Sequence, residues 1–183
     1  MTVELDFFNK GISLDQYMDE MTEKKEESFA VYEGFQCPQT ASFYAQLQPK
    51  ATKVLIITED WCGDAMMNNP ILRKIGELAH LDMRVAYRDA DPTLIDRHLT
   101  NGGRSIPVYL LLDEAGEVVA KWGPRAQLVQ QDVTEKMAAL PEQTAPDFEE
   151  KKKETIQQLT QAYVTNIKYW EAVHDELVAL ITK

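Results

Sequence analysis

Apolar positions along the chain follow three successive regimes, and each predicts a different kind of element. Up to about residue 50 the spacing is helical. Ser13 followed three positions later by Gln16 is a capping-box start leading into "LDQYMDEM". The run "EKKEESFAVYEGF" turns from charged to apolar, as a helix does, or a helix ending in a short strand. Pro38 suits the first turn of a helix over "PQTASFYAQL", whose Phe43, Tyr44 and Leu47 form an apolar face.

From residue 51 to about 140 the pattern alternates between strand and helix. "KVLIIT" (53–58) is a continuous apolar run of the kind buried on both faces of a sheet. "GDAMMNNPILRKIGELAH" reads as a helix that Pro70 kinks. "LDMRVAYRD" (81–89) is a second strand and "PTLIDRHLTN" a short helix. "IPVYLLLD" and "EVVAKW" pair as an antiparallel hairpin, and a last helix runs from about Arg125 to Leu140. This βαβαββα order implies a mixed sheet covered on both faces, an α/β fold. After the Pro-containing linker "PEQTAPD", the chain reads as one long helix from Phe148 to Ile181. Its Ile156, Leu159, Tyr163, Ile167, Trp170, Val173, Leu177 and Leu180 form an apolar stripe. The stripe either docks on its own domain or makes a homodimer seam. The expected organisation is one compact domain: an N-terminal helical extension (1–50), an α/β core (51–140) and a C-terminal helix (147–183).

Composition narrows the partners. The 183 residues carry a formal net charge of −11, which argues against nucleic acid and against an anionic membrane surface. The apolar runs are too short to span a bilayer, and the start "MTVELDFF" has no basic region of a secretory signal. Two cysteines, Cys37 and Cys62, make no disulfide framework, so a reducing cytoplasm is expected. Histidines 80, 98 and 174 are scattered singly, so no metal site is expected.

The strand, then Trp61-Cys62-Gly63, then a helix with Pro70 eight residues past the cysteine, then Ile106-Pro107 before a hairpin strand, together resemble the thioredoxin family over residues 51–140. In that resemblance Trp61-Cys62-Gly63 looks like the start of the Trp-Cys-Gly-Pro-Cys motif. Ile106-Pro107 resembles the family's cis-proline, and "RDADP" (88–92) its strand-ending acidic turn. The string "WCGDAMMNNPIL" is similar to a branch in which aspartate and alanine follow the glycine. The resemblance implies a thioredoxin-like fold and makes Cys62 the attacking thiol.

Three departures bear on activity. Ala65 stands where the resolving thiol is expected, so the motif lacks the second half of a dithiol reaction. Ile56 stands six residues before Cys62, where the family commonly keeps a buried acid. Glu59, Asp60 and Asp64 surround Cys62, and nearby anions disfavour a thiolate, while an exposed helix N-terminus favours one.

The candidate site is therefore Cys62 as the catalytic residue, with Trp61, Gly63, Asp64, Ile106 and Pro107 as substrate-binding positions. Cys62 is a reactive monothiol or a retained idle residue. Asp64 either stabilises the helix start or meets substrate. Trp61 shields the thiol or packs on the sheet, and Gly63 permits close backbone approach at the strand–helix turn. Pro107 would expose the backbone of Ile106 beside Cys62 for an extended peptide or a thiol cofactor. Arg104 is placed to meet a substrate carboxylate or stays a solvated charge. Cys37 precedes Pro38 at an expected helix start, where an inert cysteine is the simpler reading. The leading function is a single-thiol protein of thiol–disulfide exchange. It needs no cofactor beyond a low-molecular-weight thiol as co-substrate, and acts on a protein or small-thiol substrate. The competing function is a non-catalytic binding or adaptor module.

Overall fold

The computed structural model describes residues 1–182. Its elements are α1 (Val3–Lys10), β1 (Ile12–Ser13), α2 (Leu14–Glu20), α3 (Lys25–Gly34), α4 (Ala41–Ala45), β2 (Lys53–Thr58), α5 (Gly63–Leu78), β3 (Asp82–Tyr87), α6 (Thr93–Asp96), β4 (Val108–Leu112), β5 (Val118–Trp122), α7 (Gln127–Ala138), α8 (Phe148–Thr165) and α9 (Ile167–Ile181).

The five strands form one mixed sheet in the order β1-β3-β2-β4-β5. β2 is central, parallel to β3 through the α5 crossover and antiparallel to β4. Its continuous apolar run is explained by burial on both faces. Val54 and Ile56 point to one core cluster with Ile71, Ile75, Val173 and Leu177. Leu55 and Ile57 point to the other, with Phe8 of α1 and Leu94 and Ile95 of α6. The fold is thus a thioredoxin-like α/β sheet flanked by helices.

Several expectations change in detail. The charged-to-apolar run is the helix α3 and forms no strand. β1 pairs antiparallel with β3, Ile12 opposite Val85, so the first 50 residues contribute a strand to the sheet. The Ser13 hydroxyl accepts from the Gln16 N–H at 3.4 Å, but the Gln16 side chain reaches Glu20, so only half of the capping box forms. α4 starts at Ala41 because the Thr40 hydroxyl caps it, accepting from Phe43 N–H at 3.2 Å. Pro38 and Cys37 therefore precede the helix.

Pro70 lies inside α5, which runs through it from Gly63 to Leu78. A proline has no N–H for the carbonyl four residues back. That carbonyl, of Met66, accepts instead from the buried Ser28 hydroxyl of α3 at 3.1 Å. A side chain on a neighbouring helix replaces the missing bond.

The expected single C-terminal helix is two. Asn166 is extended (φ −85°, ψ 101°) and its side chain accepts from Lys168 N–H at 3.0 Å, starting α9 afresh. Asparagine is a strong N-cap because its amide oxygen bonds the free N–H groups of the next turn. The stripe packs on its own domain through Leu159, Tyr163, Trp170, Val173 and Leu177. Ile156 (47% exposed) and Ile167 (62%) stay outside it.

Candidate functional site

β2 ends at Thr58, and the next three residues lead to Cys62, the N-cap of α5. The turn is held by Cys62 N–H donating to the Glu59 carbonyl at 3.4 Å. Cys62 is only 8% exposed, packed with Ala65, Ile57 and Ile106. This corrects the exposed junction expected from the motif: an apolar cluster beneath the strand–helix turn draws the thiol inward. Its Sγ lies 3.5 Å from the Ile106 carbonyl, to which the thiol donates. The Ile106–Pro107 bond is cis, and so is Gly123–Pro124. Cys62, Ile106 and Pro107 are thus brought together.

Burial pushes the Cys62 thiol above its ordinary range. The backbone N–H groups of Ala65 and Asp64 at the start of α5 pull it back, Asp64 pushes it further up, and Arg125 opposes Asp64. Of the three acids expected to surround the thiol, Asp64 acts on it most strongly. The other two serve neighbouring loops. Asp60 accepts from Thr22 N–H (2.8 Å), the Thr22 hydroxyl (3.0 Å) and Glu23 N–H (3.2 Å). Glu59, its carboxyl raised by burial, accepts from Asp89 N–H at 2.7 Å.

Asp64 has two partners that sequence reasoning missed. Its Oδ1 accepts from Arg125 Nε at 2.8 Å and from the Tyr163 hydroxyl at 2.6 Å. Arg125 follows the cis Gly123–Pro124 segment, and Tyr163 lies on α8. These residues are 61 and 99 positions away, so no local pattern joins them to the motif. An arginine just past a Gly-Pro turn was the one visible hint.

The remaining positions separate. Trp61 is 41% exposed, with the Arg88 guanidinium 4.9 Å from its ring centre, a cation–π contact on the solvent side. Gly63 is not required for close approach: a Cβ there would meet the Tyr163 ring at 3.8 Å, an ordinary contact. The close approach is at Gly123, whose added Cβ would lie 2.1 Å from the Pro107 carbonyl oxygen. Arg104 is committed to Asp96 through two bonds of 2.7 and 2.9 Å. Cys37 is half-buried, its thiol raised by burial against the pull of Tyr44 and Lys74.

Behind Cys62, Ile56 pairs across the sheet with Tyr109. The Tyr109 hydroxyl donates to Asn69 Oδ1 at 2.6 Å, and Asn69 Nδ2 donates to the Thr58 hydroxyl at 3.1 Å. Ala65 is buried in the place of the expected second thiol. Among the described residues no group of three or more His, Cys, Asp or Glu is placed to hold a metal ion, and no helix is long and apolar enough to cross a membrane.

The family model described as Thioredoxin matches residues 11–140. Two solved structures are similar along nearly the whole chain. One is an HIV epitope-scaffold (16% identity, TM-score 0.67, covering 98% of this chain and 97% of that one). The other is a protein of unknown function from Pseudomonas aeruginosa (17% identity, TM-score 0.67, with the same coverage). At such identity the likeness establishes the fold alone. No curated protein matches this chain.

Proposed function

The chain belongs to the thioredoxin family, and from that premise we propose that it is a single-thiol member, exchanging disulfides through Cys62 in a reducing cytoplasm. The observation that carries the reading is the position of the sulfur: at the N-cap of α5 and 3.5 Å from the Ile106 carbonyl, beside the cis bond to Pro107. The Cys62 thiolate attacks one sulfur of a substrate disulfide, the old S–S bond breaks, and the departing thiolate takes a proton from water. With Ala65 in the resolving position, a second, external thiol attacks the mixed disulfide and returns Cys62 to the thiolate. That thiol is a low-molecular-weight thiol or a thiol of another protein.

Burial of the sulfur favours a second reading. A thiol that keeps its proton on the Ile106 carbonyl is a poor nucleophile. The surface formed by Trp61, Asp64 and Pro107 then serves as a binding face for an extended segment, with no covalent step. Treating a Cys37→Ser protein with oxidised glutathione separates the two. Exchange predicts one glutathione added at Cys62, faster as pH rises, and released by excess reduced thiol, with no sustained turnover of an insulin-type disulfide unless an external thiol is supplied. A folded protein that takes up no adduct even in alkali is a binding module.

A further inference from the structure

Two successive residues after the thiol are held by the segment of chain that lies outside the matched family region. The Tyr163 ring covers Gly63, and its hydroxyl donates to Asp64 Oδ1 at 2.6 Å. Tyr163 is itself fixed, since its carbonyl accepts from the buried Trp170 indole N–H at 2.8 Å. On the other side Arg125 donates to the same carboxylate oxygen at 2.8 Å, and its Nη1 donates to Gln130 at 3.0 Å. The Asp64 side chain is only 12% exposed and the Arg125 side chain 25%, so water screens this pair weakly.

We infer that Arg125 and Tyr163 are positioning residues that set the reactivity of Cys62 by holding and neutralising the Asp64 carboxylate, which makes the C-terminal helices part of the site. The inference rests on Cys62 being the reacting group. An uncompensated carboxylate on the second residue past the sulfur opposes its ionisation. A guanidinium on that carboxylate cancels most of the effect, and a phenol donor disperses its charge through a strong, charge-assisted bond. The Tyr17 hydroxyl of α2 and the Tyr109 hydroxyl of β4 also face the sulfur, and in the turn before it Asp60 and Glu59 are held by Thr22, Glu23 and Asp89. Burial raises the two phenols above their ordinary range, so they stay neutral while the thiol titrates.

The test is the pH midpoint of Cys62 in a Cys37→Ser background. It is read by the rate of iodoacetamide alkylation and, independently of reagent access, by the Cβ chemical shift of labelled cysteine. Arg125→Gln is expected to move the midpoint up by roughly half to one unit, a threefold to tenfold slower alkylation at neutral pH. Tyr163→Phe, which keeps the ring, is expected to slow it about twofold, and Asp64→Asn to quicken it. In the Asp64→Asn background the effect of Tyr163→Phe should vanish, because the phenol acts through the carboxylate. Arg125→Lys, which keeps the charge, should restore most of the midpoint. If Arg125→Gln does not fold, Tyr163→Phe alone decides. Unmoved midpoints in the folded variants, or a Tyr163→Phe effect that persists without the Asp64 charge, overturn the inference. Failure to form mixed disulfides would leave these shifts intact, so the two claims fall separately.

Discussion

Gly123 sits at φ +121° with its α-carbon against the Pro107 carbonyl, a conformation and a proximity that other residues do not tolerate. Gly123→Ala should cost about 1–3 kcal/mol and loosen the loop carrying Ile106 and Pro107. A denaturant midpoint within experimental error of the parent protein would contradict this. Cys62 makes a second prediction at this scale. Its folded-state pKa is raised, so the neutral thiol is preferred in the native protein. The associated stability is present below the ordinary value of about 9 and is lost as pH climbs through the raised folded value. Replacing Cys62 by Ala should therefore flatten the alkaline limb of the stability profile, measured by urea unfolding from neutral to alkaline pH. The motif around Cys62 was legible from the sequence because it is contiguous. Gly123 was not, because the need for glycine there arises from a carbonyl sixteen positions earlier that only the fold brings near.

Helices show the same division between local and distant causes. The strand runs and the α5 pattern were readable, since each follows from the period of its own side chains. The survival of α5 across Pro70 depends on Ser28, a residue of another helix. Ser28→Ala should leave the Met66 carbonyl buried without a donor and cost about 1–3 kcal/mol, checked by urea denaturation. Ser28→Thr, which keeps a hydroxyl, should recover part of it. No change in the alanine variant would mean that the carbonyl finds water or relaxes. The break at Asn166 was missed for the opposite reason. The apolar stripe keeps its helical spacing across the break, and periodicity is blind to a single capping residue that turns the axis.

Over the whole molecule, the core is shared by parts far apart in sequence. Val173, Leu177 and Ile181 of α9 are fully buried in the cluster containing Val54, Ile56, Ile71 and Ile75. The α9 terminus is also tied back to the segment before β2, since Lys50 N–H donates to the Ile181 carbonyl at 2.8 Å. A chain cut after residue 146 should therefore lose cooperative thermal unfolding and bind a hydrophobic dye, although it retains the whole matched family region. A sharp melt from that fragment would refute this. The sharing also sets an order of events during synthesis. Once the chain through Leu140 has left the ribosome, the sheet and α5 are complete, yet the apolar surface that α9 will cover is still bare. At roughly 5–20 residues per second the stretch from Pro141 to Ile181 takes on the order of 2–8 s. During that interval the nascent chain presents a sticky face to its surroundings. A chaperone near the ribosome would meet this protein at the stage when α8 and α9 are still missing.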